Sequence, residues 1–169
     1  CSVTGSFVRS AAFGETTLFG DGIIHGFLAK YDRDGRCVWA QQLGGDASTF
    51  CNAIAVDPWG NSHVTGAFTG TFSLSREASL QSRGGTDIFV AKFDRAGRLG
   101  WAMQFGGKGP DRGESIAVDE SGNLYLTGFF QGHGIFGSTS LSTADHSDLF
   151  VAKLAPTGSV LWVIDAQGD

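Results

Sequence analysis

The run Phe27-Leu28-Ala29-Lys30 returns as Phe89-Val90-Ala91-Lys92 and again as Phe150-Val151-Ala152-Lys153, at spacings of 62 and 61 residues. Trp39, Trp101 and Trp162 recur at the same two spacings. Val3-Thr4-Gly5 returns as Val64-Thr65-Gly66 and Leu126-Thr127-Gly128, each with a Phe (Phe7, Phe68, Phe130) two residues beyond the Gly. Ile54-Ala55-Val56-Asp57 reappears as Ile116-Ala117-Val118-Asp119. Four landmarks on one period mean that the chain is a tandem array of like units, and a period of this length constrains the fold more than any local signal.

Within one period the residues read as four strands. Strand A covers Ser115–Asp119, and Glu120-Ser121-Gly122-Asn123 turns the chain into strand B, Leu124–Phe130. Gly and Asn sit in that turn because they accept positive φ cheaply. A longer polar connection follows, with a short extra strand expected near Phe72–Leu74 in the second unit. Strand C covers Asp87–Phe93, and Asp94-Arg95-Ala96-Gly97 leads into strand D, Leu99–Phe105. There Leu99, Trp101, Met103 and Phe105 alternate with Gly100, Ala102 and Gln104, the period-2 pattern of a half-buried strand. No segment carries a 3.6-residue period. Short strands in fours predict an all-β chain of β-propeller blades, each a four-stranded antiparallel sheet.

The composition fits a packed fold, with 41% hydrophobic and 17% charged residues and 26 glycines for the many turns. A net charge of −5 with scattered Lys and Arg excludes a nucleic-acid backbone as partner. No apolar run is long enough to span a membrane. Cys1, Cys37 and Cys51 form no CxxC pair and have no His at ligand spacing, so a zinc site is not expected. Cys37 and Cys51 either pair, leaving Cys1 over, or are small core or loop residues.

Gly122-Asn123-Leu124-Tyr125-Leu126-Thr127-Gly128 and Asp87-Ile88-Phe89-Val90-Ala91-Lys92-Phe93-Asp94 resemble the bacterial β-propeller repeat of the SBBP type, and the A–B hairpins are similar to NHL repeats. The resemblance covers nearly the whole chain. It implies a propeller in a large, exported or cell-surface bacterial protein, and it carries no general catalytic signature. His25 departs from the pattern where Asp87 and Asp148 stand, as does Ala155 where Asp32 and Asp94 stand.

In this register residues 1–61 hold the first blade from strand B onward plus strand A of the second. Residues 62–123 hold the rest of the second blade plus strand A of the third, and residues 124–169 hold the remainder. Propellers close with about four to eight blades, so three repeats give an incomplete ring. The expectation is a piece of a larger propeller, or else a chain that assembles in several copies. Starting inside a strand also argues against Cys1 as a lipid-bearing N-terminus.

Propeller strand polarity places the D–A and B–C loops on one face. Asp46, Lys108, Asp111 and Arg112 lie in D–A segments, and His25, Asp87 and Asp148 open the C strands beside them. A carboxylate ring there can hold a cation or a sugar; the plainer role is to fasten the B–C loop through its backbone N–H groups. Lys30, Lys92 and Lys153 recur too regularly for a catalytic lysine and are expected to snorkel or pair with an Asp such as Asp57 or Asp119. Asp32-Arg33-Asp34-Gly35 lacks the further ligands of a calcium loop and reads as a C–D turn, so no cofactor is expected. Trp39, Trp101 and Trp162 are expected in the core, whereas Trp59, in an A–B turn, is the indole best placed for an exposed contact. His25, His63, His133 and His146 fall in no catalytic motif. The leading function is therefore a non-catalytic binding or scaffold segment whose partners are other blades and a protein or glycan. A carbohydrate-binding propeller is the alternative, and a propeller enzyme the second.

Overall fold

The computed structural model describes residues 1–75 and 78–166, so the last three positions of the third unit, 167–169, lie outside the described residues. The chain is all-β. The first unit contributes β1 (Ser2–Phe7), β2 (Ser10–Phe13), β3 (Thr16–Phe19), β4 (His25–Tyr31) and β5 (Cys37–Leu43). The second follows with β6 (Thr49–Val56), β7 (Ser62–Phe68), β8 (Thr71–Ser73), β9 (Ser79–Gln81), β10 (Asp87–Phe93) and β11 (Leu99–Gly107). The third has β12 (Arg112–Val118), β13 (Leu124–Phe136), β14 (Thr139–Leu154) and β15 (Val160–Ala166).

The second and third units are antiparallel sheets in which β6, β7, β10 and β11, and likewise β12, β13, β14 and β15, pair in sequence order. The first has β1, β4 and β5. The repeat extends to irregularities in the ladders. Each C–D ladder sets a Lys opposite a Trp (Lys30↔Trp39, Lys92↔Trp101, Lys153↔Trp162) and shifts register directly after the Lys. Each complete A–B ladder has a bulge at the same place, between Cys51 and Ala53 and between Gly113 and Ser115. The A strands of neighbouring blades touch, with Asn52 Nδ2 donating to Gly113 O at 2.8 Å.

The apolar cores lie between blades. One joins Leu28 and Leu43 of the first blade to Val64, Phe89, Ala91 and Phe93 of the second. The other joins Ile88, Val90 and Phe105 of the second to Leu126, Phe150, Ala152 and Leu154 of the third. Alternation along strand C explains this split, because odd and even positions face opposite neighbours.

The B–C connection carries more structure than the single short strand expected there. In the first two blades it is a separate two-stranded ribbon, β2–β3 and β8–β9, and in the third it is the fused tip of β13 and β14. Each ribbon folds one Phe onto the strand C Phe of its own blade. Ring centroids are 4.8 Å apart for Phe13–Phe27, 4.6 Å for Phe72–Phe89 and 4.8 Å for Phe136–Phe150. The second and third ribbons also lie on the Gly-Gly pair ending the previous strand D. Gly44 N donates to Ser73 O at 3.2 Å, and Gly106 and Gly107 pair with Ile135 and Gly134. A Cβ on Gly45 or Gly107 would collide with the carbonyl oxygen of Thr71 or His133, so these positions require glycine.

The core placement expected for the recurring tryptophans needs correction. Trp39 and Trp101 are half-buried at blade junctions, and Trp162 is exposed. Trp39 Nε1 donates to Arg95 O at 3.2 Å and Trp101 Nε1 to Pro156 O at 3.1 Å, so each indole reaches the C–D turn of the next blade. Alternation identified the apolar face of strand D, but that face meets a neighbouring turn and not a closed interior. The three cysteines are free thiols, so Cys37 and Cys51 do not pair. Cys51 is buried in the first inter-blade core, and burial pushes its thiol up to about 12.

Candidate functional site

The A–B and C–D turns form one rim of the blades and are fastened by their own aspartates. Asp32 Oδ1 accepts N–H bonds from Asp34 and Arg36, and Asp94 Oδ1 from Ala96 and Arg98. Asp57 does the same for Trp59 and Asn61, and Asp119 for Ser121 and Asn123. The bond from the Arg98 N–H foremost holds Asp94 below the usual carboxylate range, and the Asn123 side chain does so for Asp119.

Behind these turns sits a recurring polar trio. Asp57 Oδ2 lies 3.2 Å from His63 Nε2 and 3.6 Å from Lys92 Nζ, and both Asp57 and His63 are buried. Burial pushes Asp57 up, but bonds from Asn61 and His63 prevail and leave it lowered. Burial likewise lowers His63. The corresponding trio in the third blade is Asp119, Tyr125 and Lys153, whose ammonium lies 5.0 Å from the Tyr125 ring centroid. Lys30 instead reaches Gly60 O at 3.3 Å and Arg95 O at 3.4 Å across the junction. The lysines thus snorkel or pair, and His63 holds an aspartate that the sequence reading had not linked to it.

Trp59 is 54% exposed on this rim. Its ring lies over the third blade's A–B turn, where a Cβ on Gly122 would come within 2.8 Å of Cζ3. The remaining candidates lie elsewhere, because His25, Asp87, Asp111, Arg112 and Asp148 belong to the D–A and B–C loop rim.

On that second rim Asp87 and Asp111 are buried. Asp87 Oδ2 accepts Arg83 N–H at 3.2 Å and a bond from the Gln104 side chain, while Asp87 Oδ1 has no partner among the described residues. Asp111 Oδ2 accepts Gly107 N–H at 2.6 Å and Oδ1 accepts Gln131 N–H at 3.0 Å, so one carboxylate clasps two blades. Burial raises Asp87, and burial, reinforced by the charge of Asp87, pushes Asp111 up to about 6. Asp87 therefore fastens its B–C loop as the plainer reading held.

His25, at the position equivalent to Asp87, is also buried and bonds Asp21 Oδ1 through Nε2 at 2.9 Å. Arg112 pairs with Glu114 at 2.8 Å, and its guanidinium carbon sits 5.8 Å from the centroid of Phe50 on the neighbouring A strand. Asp148 is half-buried in β14 opposite Phe130. No group of three metal-ligating side chains gathers among the described residues.

The same rim holds a cleft of about 740 Å³ between the second and third blades, lined by Arg83, Gly107, Lys108, Gly109, Gln131, Gly132, His133 and Ile135. Of these the sequence reading had placed only Lys108 on this face. Comparing charges at positions one period apart singles out Arg83 as well: Arg83 and Lys108 stand where the first junction has Asp21 and Asp46.

A family model described as a β-propeller repeat, SBBP, matches residues 38–67 and 100–128. Each match runs from strand D of one blade through strands A and B of the next, spanning a blade junction. The chain is 28% identical over 173 aligned positions to an uncharacterized WD repeat-containing protein of Acanthamoeba polyphaga mimivirus, covering 91% of this chain and 12% of that protein. It is 26% identical over 158 positions to the regulatory protein FlaEY of Caulobacter vibrioides, covering 90% of this chain and 16% of that one. The chain thus spans less than a fifth of either relative. Sheet order, repeated register shifts and the matched segments agree: this chain is a run of β-propeller blades that matches the SBBP repeat at two places.

Proposed function

We propose that the chain is a non-catalytic binding or scaffold segment of a larger β-propeller, in an exported or cell-surface bacterial protein. The observation that carries this reading is the use made of the repeated ionisable groups. Asp32, Asp57, Asp94 and Asp119 hold turns, Asp87 and Asp111 hold loops, and Lys92 balances Asp57. A catalytic constellation needs a nucleophile or base aimed at open space, and these groups point at their own backbone. The variable loops around the two rims are left to meet a protein or glycan, as loops on rigid scaffolds commonly do.

A carbohydrate partner is the second reading, supported by the exposed Trp59 indole, a flat apolar surface of the kind that stacks on sugar rings. The experiment is a glycan array and a protein-capture screen run side by side with the full chain. Glycan signal lost in Trp59→Ala supports the carbohydrate reading, and a captured protein partner without turnover supports the scaffold reading. Hydrolytic or redox turnover of a bound ligand would contradict both. Protease accessibility on intact cells tests the location, and full protection would contradict an exported or surface protein.

A further inference from the structure

We propose that the cleft between the second and third blades binds an oxyanion, the carboxylate or phosphate of a small sugar-sized ligand. This deepens the binding reading above by giving it a site and a ligand class.

The protein carries a net charge of −5, yet Arg83 and Lys108 meet, beside the imidazole of His133, around one cleft whose lining includes no acidic side chain. Blade architecture does not demand this. One period earlier the positions of Arg83, Lys108 and His133 are taken by Asp21, Asp46 and Thr71, although a backbone bond at the junction recurs. Asp111 N donates to Thr86 O at 2.7 Å and Thr49 N to Ile24 O at 2.8 Å, one period apart.

Part of the reversal has a local cause. Asp21 pairs with His25 in the first blade, and the Arg83 N–H donates to Asp87 in the second, where burial still keeps the carboxyl raised. The exchange of Asp46 for Lys108 has no such cause, because the Lys108 ammonium makes no bond among the described residues.

The donors are suited to an oxyanion. Arg83 Nη1 donates to Gly106 O at 3.1 Å, which anchors the guanidinium through one of its N–H groups. A guanidinium so held is preorganised for the flat, two-point recognition of carboxylate or phosphate. His133 is held by Ser142 Oγ at 3.1 Å from Nδ1, and Gln131 adds a neutral amide. The nearest carboxylates, Asp87 and Asp111, are buried and turned onto the N–H groups of Arg83, Gly107 and Gln131. Gly132 has open space where a side chain would stand and lets a ligand approach the backbone, and Ile135 supplies an apolar wall. A cleft of about 740 Å³ lies in the range of small-molecule sites.

The test is calorimetric titration of the full chain with glucuronate, glucose 6-phosphate and glucose at low salt. The proposal predicts binding of at least one anion and none of glucose, and the tighter anion tells a sugar acid from a phosphorylated ligand. Lys108→Ala, and Arg83→Gln, which keeps a donor for Gly106 O, should each weaken binding about tenfold or more, with melting temperatures recorded to confirm folding. Asp46→Ala should leave the affinity unchanged. Equal affinity for all three probes, or binding indifferent to both cleft variants, overturns the proposal. Partner capture with a silent cleft overturns it while sparing the scaffold reading, whereas turnover of a bound anion overturns the scaffold reading and spares the cleft.

Discussion

Replacing Trp101 and Trp162 by Ala tests the blade junction, because the two residues are equivalent in sequence but not in surroundings. Trp101 is half-buried against the third blade's C–D turn, where a Cβ on Gly158 would stand 3.0 Å from the indole. Truncating a fully buried large aromatic costs about 3–5 kcal/mol, and half that packing is about 2 kcal/mol. The bond from Nε1 to Pro156 O at 3.1 Å adds about 1 kcal/mol. Trp162 is 41% exposed, and its Nε1 has no acceptor among the described residues. Trp101→Ala should therefore cost about 3 kcal/mol and Trp162→Ala about 1 kcal/mol, read by urea unfolding followed by circular dichroism. Trp→Phe at the same sites keeps an aromatic ring but removes the Nε1 donor and part of the packing, with a loss of about 1 kcal/mol or more at Trp101 and a smaller one at Trp162. Equal losses at the two positions would refute the junction role.

Gly107→Ala should destabilise by more than about 2 kcal/mol, because its Cβ meets the backbone of His133 and cannot yield by a rotamer change; an unchanged urea midpoint would contradict this. Phe136→Ala should cost about 3–5 kcal/mol, since it removes a fully buried ring stacked on Phe105 and packed at a tilt against Phe150. Trp59→Ala should stay within about 1 kcal/mol, which a melt of the same variant used on the glycan array will show. The Asp111 carboxyl sits at about 6 when folded against 3.8 unfolded, so the native state holds the extra proton between those values. Its contribution is full below pH about 4 and fades as pH rises through about 6, by at most about 3 kcal/mol. Asp111→Asn should remove that decline, and an identical stability profile from pH 4 to 7 in the variant would contradict it.

Strand C was legible to the residue: Asp87–Phe93 was expected and is observed, because polar Asp87 and the Asp94 turn bound an apolar run. The B–C ribbons were only partly legible. Their strands are three or four residues long in the first two blades, too short for alternation to speak, and their lengths differ between repeats. The junction role of Trp39 and Trp101 was hidden for another reason. Alternation says which side of a strand is apolar, whereas the carbonyl that receives each indole lies more than fifty residues away. A separation of 20 residues likewise concealed the clasp of Asp111 on Gln131. His63 has no signal in the repeat because its counterpart is Tyr125, a different residue doing related work beside Asp119. The cleft has no signal in the shared pattern of the repeats, because Arg83 and Lys108 stand out only where the units differ.

Exchange of the indole N–H protons tests the stacking of blades most directly, since the chain has four tryptophans and thus four resolvable indole signals. The account predicts that Trp101 exchanges slowest, bonded to Pro156 O in a partly buried junction, with Trp39 next through Arg95 O. Trp59 and Trp162 should exchange as fast as free indole, at 54% and 41% exposure. Trp101 and Trp39 exchanging as fast as Trp162 would mean that the blades do not meet across these turns, and the inter-blade core described here would be wrong.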